Sequence, residues 1–179
     1  MTKAPVNGSS IPASWIGKVI WGDAYPKRIK EINLRNTGMT GRLDVNELPA
    51  LETLDCSDNQ LVSLRLDALP ALSELNCSIN KLTTIQVSGL PALQTLYCYR
   101  NLLSSLPTDR LTSLKTLNIS SNQLSQLFNF SVSNLTALTD LNCSYNQLSG
   151  IFDVSGLTAL TWLNCRNNQL TGVRLESGA

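Results

Sequence analysis

The chain has 179 residues, of which 42% are apolar, 15% charged and 6% aromatic, and its net charge is +1. This apolar share supports a domain with a buried core and excludes a disordered chain. The charge balance lacks the basic excess with which duplex-binding proteins displace counterions, so no nucleic-acid partner is expected. No apolar run approaches the roughly 18 residues that span a bilayer. The absence of histidine excludes His-based acid–base pairs, His-dependent nucleophiles and His metal ligands.

Residues 1–28 form an N-terminal flank in front of the patterned part of the chain. Their first ten residues are polar and lack the apolar segment of a signal peptide, which fits either a protein that is not secreted or a trimmed form of a secreted one. Two of the three tryptophans, Trp15 and Trp21, lie in this flank. Because stacked repeats need a cover over their end leucines, we expect the flank to act as a cap.

An eleven-position motif, L-x-x-L-x-(L/C)-x-x-N-x-L, recurs seven times at intervals of 21 to 24 residues. In the first copy Thr37 replaces the asparagine. The copies begin at Ile29, Leu51, Leu72, Leu93, Leu114, Leu138 and Leu160. Chance does not give seven copies at one period, so the pattern predicts seven stacked repeats over residues 29–175, followed by a short tail over residues 176–179.

Each motif copy predicts a short strand, because in its L-x-(L/C) part apolar residues alternate with polar ones. The recurring asparagine stands at a core-facing position and must therefore be hydrogen-bonded. We expect a structural role for this set, which consists of Asn59, Asn80, Asn101, Asn122, Asn146 and Asn168.

The second half of each repeat has a similar apolar pattern and little room for a long helix. Leu-Pro-Ala-Leu at residues 69–72 and 90–93 indicates extended chain or a single turn. The alternation is lost at residues 106–110, three extra residues occur within 127–132, and one is added near Phe152. These insertions are interpreted as bulges whose Phe side chains fill the convex side, while a role in shaping a binding face stays open.

The motif, its period and its cysteine position resemble the leucine-rich repeat family, in the short bacterial type. The resemblance implies an α/β-type but largely β solenoid: a right-handed superhelix with a parallel concave sheet and convex segments of short strand or 3₁₀ turn. It also implies that the asparagines form a ladder bonded to the backbone of the turn after each strand. For function it implies recognition of a protein, peptide or glycan on the concave face of a bacterial protein that is extracellular or attached to the cell surface.

Five cysteines occupy the same inward position of five different repeats: Cys56, Cys77, Cys98, Cys143 and Cys165. Their spacings of 21 to 45 residues are repeat spacings and differ from those of a zinc site. Inward side chains on stacked parallel strands fit disulfide geometry poorly. We therefore predict five buried free thiols, no metal and no cofactor.

No set of residues forms a catalytic constellation, so the chain is predicted to be a recognition module and not an enzyme. An alternative reading is the substrate-recognition part of a larger bacterial effector enzyme such as a ubiquitin ligase. Such ligases carry Leu-Pro in most repeats, whereas only Leu106-Pro107 falls at that place here. The C-terminal end shows no cap, which keeps this alternative open and also predicts self-association through that end.

The outward positions of the repeats are mostly small and polar, as a solvated sheet face requires. Tyr, Trp and Arg dominate binding hot spots because they bury a large area at low entropic cost. The predicted ligand-binding residues are those that break the polar pattern: Tyr97, Tyr99, Arg100, Ile79, Tyr145 and Trp162. The alternative, that repeats drift and a few exposed aromatic residues have no role, stays open. The sequons at Asn76, Asn118 and Asn142 follow from the repeat itself, and glycosylation is not expected.

Overall fold

The computed structural model describes residues 2–3, 19–21, 28–125 and 132–175, and these contain fourteen strands and no helix. The strands are β1 (Thr2–Lys3), β2 (Val19–Trp21), β3 (Ile29–Asn33), β4 (Thr40–Asn46), β5 (Thr53–Asp55), β6 (Gln60–Asp67), β7 (Glu74–Asn76), β8 (Thr84–Val87), β9 (Thr95–Tyr97), β10 (Thr116–Asn118), β11 (Asp140–Asn142), β12 (Ser149–Asp153), β13 (Trp162–Asn164) and β14 (Gln169–Arg174). Trp15, residues 126–131, which include all of the predicted insertion except Val132, and the tail at 176–179 lie outside the described residues.

One strand from each repeat joins the concave sheet, whose order is β13-β11-β10-β9-β7-β5-β3-β2. The seven repeat strands are parallel and pair in the register that the motif predicts, with Glu31 beside Thr53 and Thr53 beside Glu74. Strand β2 pairs antiparallel with β3 at the N-terminal end of this sheet. The prediction of a largely β solenoid with seven stacked parallel strands is confirmed.

The second halves of the repeats form two smaller parallel sheets: β4, β6 and β8 make one, which β1 of the N-terminal flank joins beside β4, and β12 and β14 make the other. No strand is assigned between β9 and β10, the stretch where Pro107 interrupts the alternation. Between the sheets the chain makes single tight turns, such as the bond from Leu51 N–H to the Leu48 carbonyl at 3.1 Å. Strands and turns thus make up the described part of the convex side.

The leucines of successive repeats stack into one continuous core, in which Leu54, Leu75 and Leu96 are fully buried. The last repeat differs, because no described repeat covers its outer side. Leu163 and Leu170 are only partly buried against the core. This difference shows that each rung depends on its neighbour for burial, as expected for stacked repeats.

The cysteine column follows the same rule. Cys56, Cys77, Cys98 and Cys143 are buried, but Cys165 in the last repeat is only partly buried, so the prediction of five buried thiols is wrong for Cys165. All five are free. Desolvation raises the pKa of Cys143 to about 12 and also raises the pKa values of Cys56, Cys77 and Cys98. These thiols are protonated and unreactive at neutral pH.

The asparagine ladder is present. In a typical rung the Asn101 side-chain Oδ1 accepts a hydrogen bond from Leu82 N–H at 2.9 Å. Its Nδ2 donates to the carbonyl oxygens of Cys77 and Cys98, both at 3.1 Å. Each such side chain therefore ties its own turn to the turn of the preceding repeat. The other members that bridge two repeats in this way are Asn59, Asn80, Asn122, Asn146 and Asn168.

The residue before each ladder position adopts a left-handed backbone conformation, with φ between 50° and 57°. Asn and Asp tolerate this region, but a β-branched residue such as Ile79 is strained in it. The seven residues are Asn36, Asp58, Ile79, Arg100, Ser121, Tyr145 and Asn167. The surrounding backbone bonds impose the conformation whatever the side chain, as the bond from Ile79 N–H to the Tyr99 carbonyl at 2.9 Å illustrates.

Candidate functional site

Two columns of side chains cover the concave sheet, and strand pairing aligns each of them. The first concave column consists of Glu31, Thr53, Glu74, Thr95, Thr116, Asp140 and Trp162. The second concave column consists of Asn33, Asp55, Asn76, Tyr97, Asn118, Asn142 and Asn164. Equivalent positions of successive repeats therefore lie side by side across the sheet.

Asparagines of the second concave column are held by the serine two residues later. Ser120 donates from its N–H at 3.1 Å and from its hydroxyl at 2.7 Å to Oδ1 of Asn118. Ser144 makes the same pair of bonds to Asn142, at 3.1 and 2.7 Å. The recurring Asn-x-Ser motif thus has a structural reason, because the amide oxygen of the asparagine caps the turn that follows the strand.

Most of these serines are not part of the solvated face. Ser57, Ser78 and Ser144 are each at most 2% exposed and Ser120 is partly buried, although simple alternation along the strand would turn all four outward. At the same position of the first and last repeats, Arg35 and Arg166 are exposed. The position is therefore unavailable to a ligand at Ser57, Ser78 and Ser144.

The fourth repeat departs from this arrangement. Tyr97 stands where the asparagine would be and Tyr99 stands where the serine would be. The phenolic oxygen of a tyrosine lies at the far end of the ring, too far from its own backbone to replace the amide oxygen that Ser120 binds in Asn118, and the serine is replaced as well. As a result the amide row is interrupted by an aromatic side chain at β9.

A depression of about 530 Å³ lies on the concave face between Tyr97 and Trp162. Tyr97 is on β9 and Trp162 is on β13, three strand spacings apart, which is about 14 Å. Trp162 is 48% exposed. The floor of the depression consists of Thr116, Leu117, Asn118, Asp140 and Asn142. A site of this size suits a ligand of a few rings or residues.

Of the six predicted binding residues, the structure brings Tyr97 and Trp162 together in the depression. Ile79, Arg100 and Tyr145 lie instead in the left-handed turn positions. Tyr145 is exposed there and the Arg166 guanidinium stacks 5.3 Å from its ring centre. Tyr99 follows β9 and does not line the depression.

Sequence reasoning missed the floor residues Thr116, Asn118, Asp140 and Asn142, because each looks like an ordinary solvated residue. Their signal was positional, since all four lie in the two concave columns between the two aromatic residues. Asp140 is the only charged residue in the floor, and its carboxylate accepts a bond from the Thr139 hydroxyl at 2.7 Å. Among the described residues that line the depression, none is basic.

The comparisons with known proteins agree with this architecture. Residues 112–170 match the family described as leucine rich repeat, and residues 49–92 and 91–132 match the description leucine rich repeats in two copies. The chain belongs to the leucine-rich repeat family. No curated relative matches it. Across the described residues, no helix is long and apolar enough to cross a membrane.

Three solved structures share the fold. The leucine-rich repeat domain of APL1B is 22% identical, with a TM-score of 0.56 over 74% of this chain and 42% of that chain. An internalin, inlF, from Listeria monocytogenes is 26% identical, with a TM-score of 0.52 over 72% and 48%. TLR13 in complex with ssRNA13 is 23% identical, with a TM-score of 0.51 over 72% and 25%. The chain spans less than half the length of each of these structures.

Proposed function

We propose that the chain is a non-catalytic recognition module that binds its partner on the concave face, at the depression between Tyr97 and Trp162. The observation that carries the proposal is the pair of aromatic side chains at the two ends of a concave floor that is otherwise small and polar. Aromatic residues bury a large area on binding at low entropic cost, and flanking polar groups set orientation. Leucine-rich repeat domains are generally interaction modules, which agrees with this role.

The proposed setting is a bacterial cell surface or the extracellular space. Support comes from the short cysteine-bearing repeat and from the likeness to the internalin of Listeria monocytogenes. The proposed partners are proteins, peptides or glycans. The last repeat is the surface through which self-association would take place, because Leu163 and Leu170 are only partly buried and Leu175 is 68% exposed.

The test compares ligand selection by three forms of the protein. Wild type is panned against a random peptide display library and a glycan array, and each enriched ligand is then titrated against the variants. We expect Tyr97→Ala with Trp162→Ala to weaken an enriched ligand by about thirty-fold, which corresponds to roughly 2 kcal/mol. The matched control is Val62→Ala, since Val62 is 45% exposed but lies on β6, outside the concave sheet.

The proposal is contradicted if the enriched ligands bind the double variant as tightly as wild type. It is equally contradicted if Val62→Ala weakens them to the same extent, or if neither pool yields a ligand. Unfolding midpoints of all three forms are measured alongside, and we expect them to agree because Trp162 and Val62 are about half exposed.

A further inference from the structure

The floor of the depression presents unpaired hydrogen-bond donors in fixed positions. Because Ser120 and Ser144 occupy the Oδ1 atoms of Asn118 and Asn142, the Nδ2 groups of these amides must point away from the turn. No acceptor for either Nδ2 is found within the described residues. The two groups lie on adjacent strands, about 4.8 Å apart, and both line the depression.

One acceptor stands beside these donors. The carboxylate of Asp140 lies on the first concave column, and Thr139 satisfies only part of its capacity with a single hydroxyl bond. The Thr116 hydroxyl, which can both donate and accept, completes the floor. The floor therefore suits a ligand whose polar groups accept from two neighbouring amides and donate to one carboxylate.

The two ends of the depression are aromatic faces about 14 Å apart across the strands. A pyranose ring has an apolar C–H face and a rim of hydroxyls that both donate and accept. A short chain of such rings can therefore place C–H faces on Tyr97 and Trp162 and hydroxyls on the amide floor.

On these grounds, which rest on the function proposed above, we propose that the depression binds a linear, neutral oligosaccharide. An anionic polymer is disfavoured, because the only charge among the lining residues is the carboxylate of Asp140.

The experiment measures binding of hexasaccharides derived from cellulose, chitin, mannan, xylan and amylose to the full chain by calorimetry. We expect at least one to bind. The informative variant is Asn118→Asp with Asn142→Asp, because aspartate keeps the oxygen that caps the turn and replaces the outward donor by an acceptor. Asp55 shows that the column accepts aspartate, as its carboxylate takes the Ser57 N–H bond at 2.9 Å. The double variant should bind at least ten-fold more weakly. Because its two carboxylates lie side by side on β10 and β11, the unfolding midpoint should fall slightly, and binding is measured well below that midpoint.

A second pair of variants checks the aromatic end. Trp162→Ala should lose at least ten-fold in affinity, whereas Trp162→Tyr should stay within about three-fold of wild type. The inference is overturned if none of the five sugars binds, or if a sugar binds and both aspartate and Trp162 variants leave its affinity unchanged. If peptides from the display library bind the depression and the sugars do not, the proposed function stands and the glycan assignment falls. If neither binds there, both fall.

Discussion

Asparagine has opposite roles on the inner and the concave side of the solenoid. On the inner side, both the oxygen and the nitrogen of the Asn101 amide are hydrogen-bonded to backbone groups of two repeats. On the concave side, only the oxygen of the Asn118 amide is hydrogen-bonded, to Ser120, and its nitrogen faces the depression. The difference teaches that burial decides which asparagines are part of the fold and which are available to a ligand.

The buried thiols also belong to the inner side of the solenoid. Four buried cysteines lie on the inner side next to the asparagine ladder, and the ladder side chains donate hydrogen bonds to their carbonyl oxygens, as Asn80 Nδ2 does to Cys56 at 3.0 Å. No polar group of a ligand can reach them. Substitutions in the asparagine ladder and the cysteine column are therefore expected to change stability and its pH dependence. Substitutions in the second concave column are expected to change ligand affinity.

The largest expected effect is loss of stability in alkali. The pKa of Cys143 is raised to about 12 from 9.0 by burial, and the other three buried thiols are raised in the same direction. Unfolded thiols release their protons above pH 9 while folded ones keep them. The thiol contribution to stability is therefore complete below pH 9 and is lost as pH rises toward 12, at about 1 kcal/mol or more per thiol and pH unit. Urea unfolding at pH 8 to 11 measures the slope.

Cys98→Ala is the matched control for this slope, because it removes one buried thiol and leaves every tyrosine and lysine in place. We expect its stability to fall less steeply with pH than that of wild type. Equal slopes would show that the buried thiols do not cause the alkaline loss. In native protein a thiol reagent should label Cys165 first, since it is the partly exposed member.

The next effect separates the two asparagine columns directly. Asn101→Ala leaves Leu82 N–H and two buried carbonyl groups without partners, and should lower the free energy of unfolding by about 3 kcal/mol. Asn118→Ala removes only the turn cap and should cost about 1 kcal/mol. Urea denaturation of both variants checks the difference. Equal losses would mean that the concave amides are as structural as the ladder.

The repeat motif predicted much of this architecture because its apolar positions are the buried positions of the fold. A leucine or cysteine at a strand position points inward, so the register of the seven strands and the two concave columns followed from the spacing. Cys165 escaped prediction because its burial depends on a following repeat, which its own motif does not report. The burial of Ser57, Ser78 and Ser144 was not predicted, because each lies two residues beyond the end of its strand, where alternation no longer reports which way a side chain points.

The site was only half predictable for a related reason. Aromatic residues stand out from a polar repeat, so Tyr97 and Trp162 could be singled out, but Arg100 and Tyr145 stood out equally. Only the fold distinguishes a side chain on the concave sheet from one in the left-handed turn beyond it. The donors of Asn118 and Asn142 became visible only when their oxygen atoms were found to be occupied.

The smallest expected effect concerns Ile79, which lies between concave Asn76 and ladder Asn80. Its φ of 54° is unfavourable for a β-branched residue, whereas the equivalent Asp58 at 57° is a type that tolerates this region. Ile79→Asn should raise the free energy of unfolding by about 1 kcal/mol, and Asp58→Ile should lower it by a similar amount. Ile79 does not line the depression, so ligand affinity should stay within two-fold. If Ile79→Asn instead lowers the urea midpoint, or weakens a ligand that Trp162→Ala also weakens, the turn contributes through the isoleucine side chain and the binding surface extends beyond the concave columns.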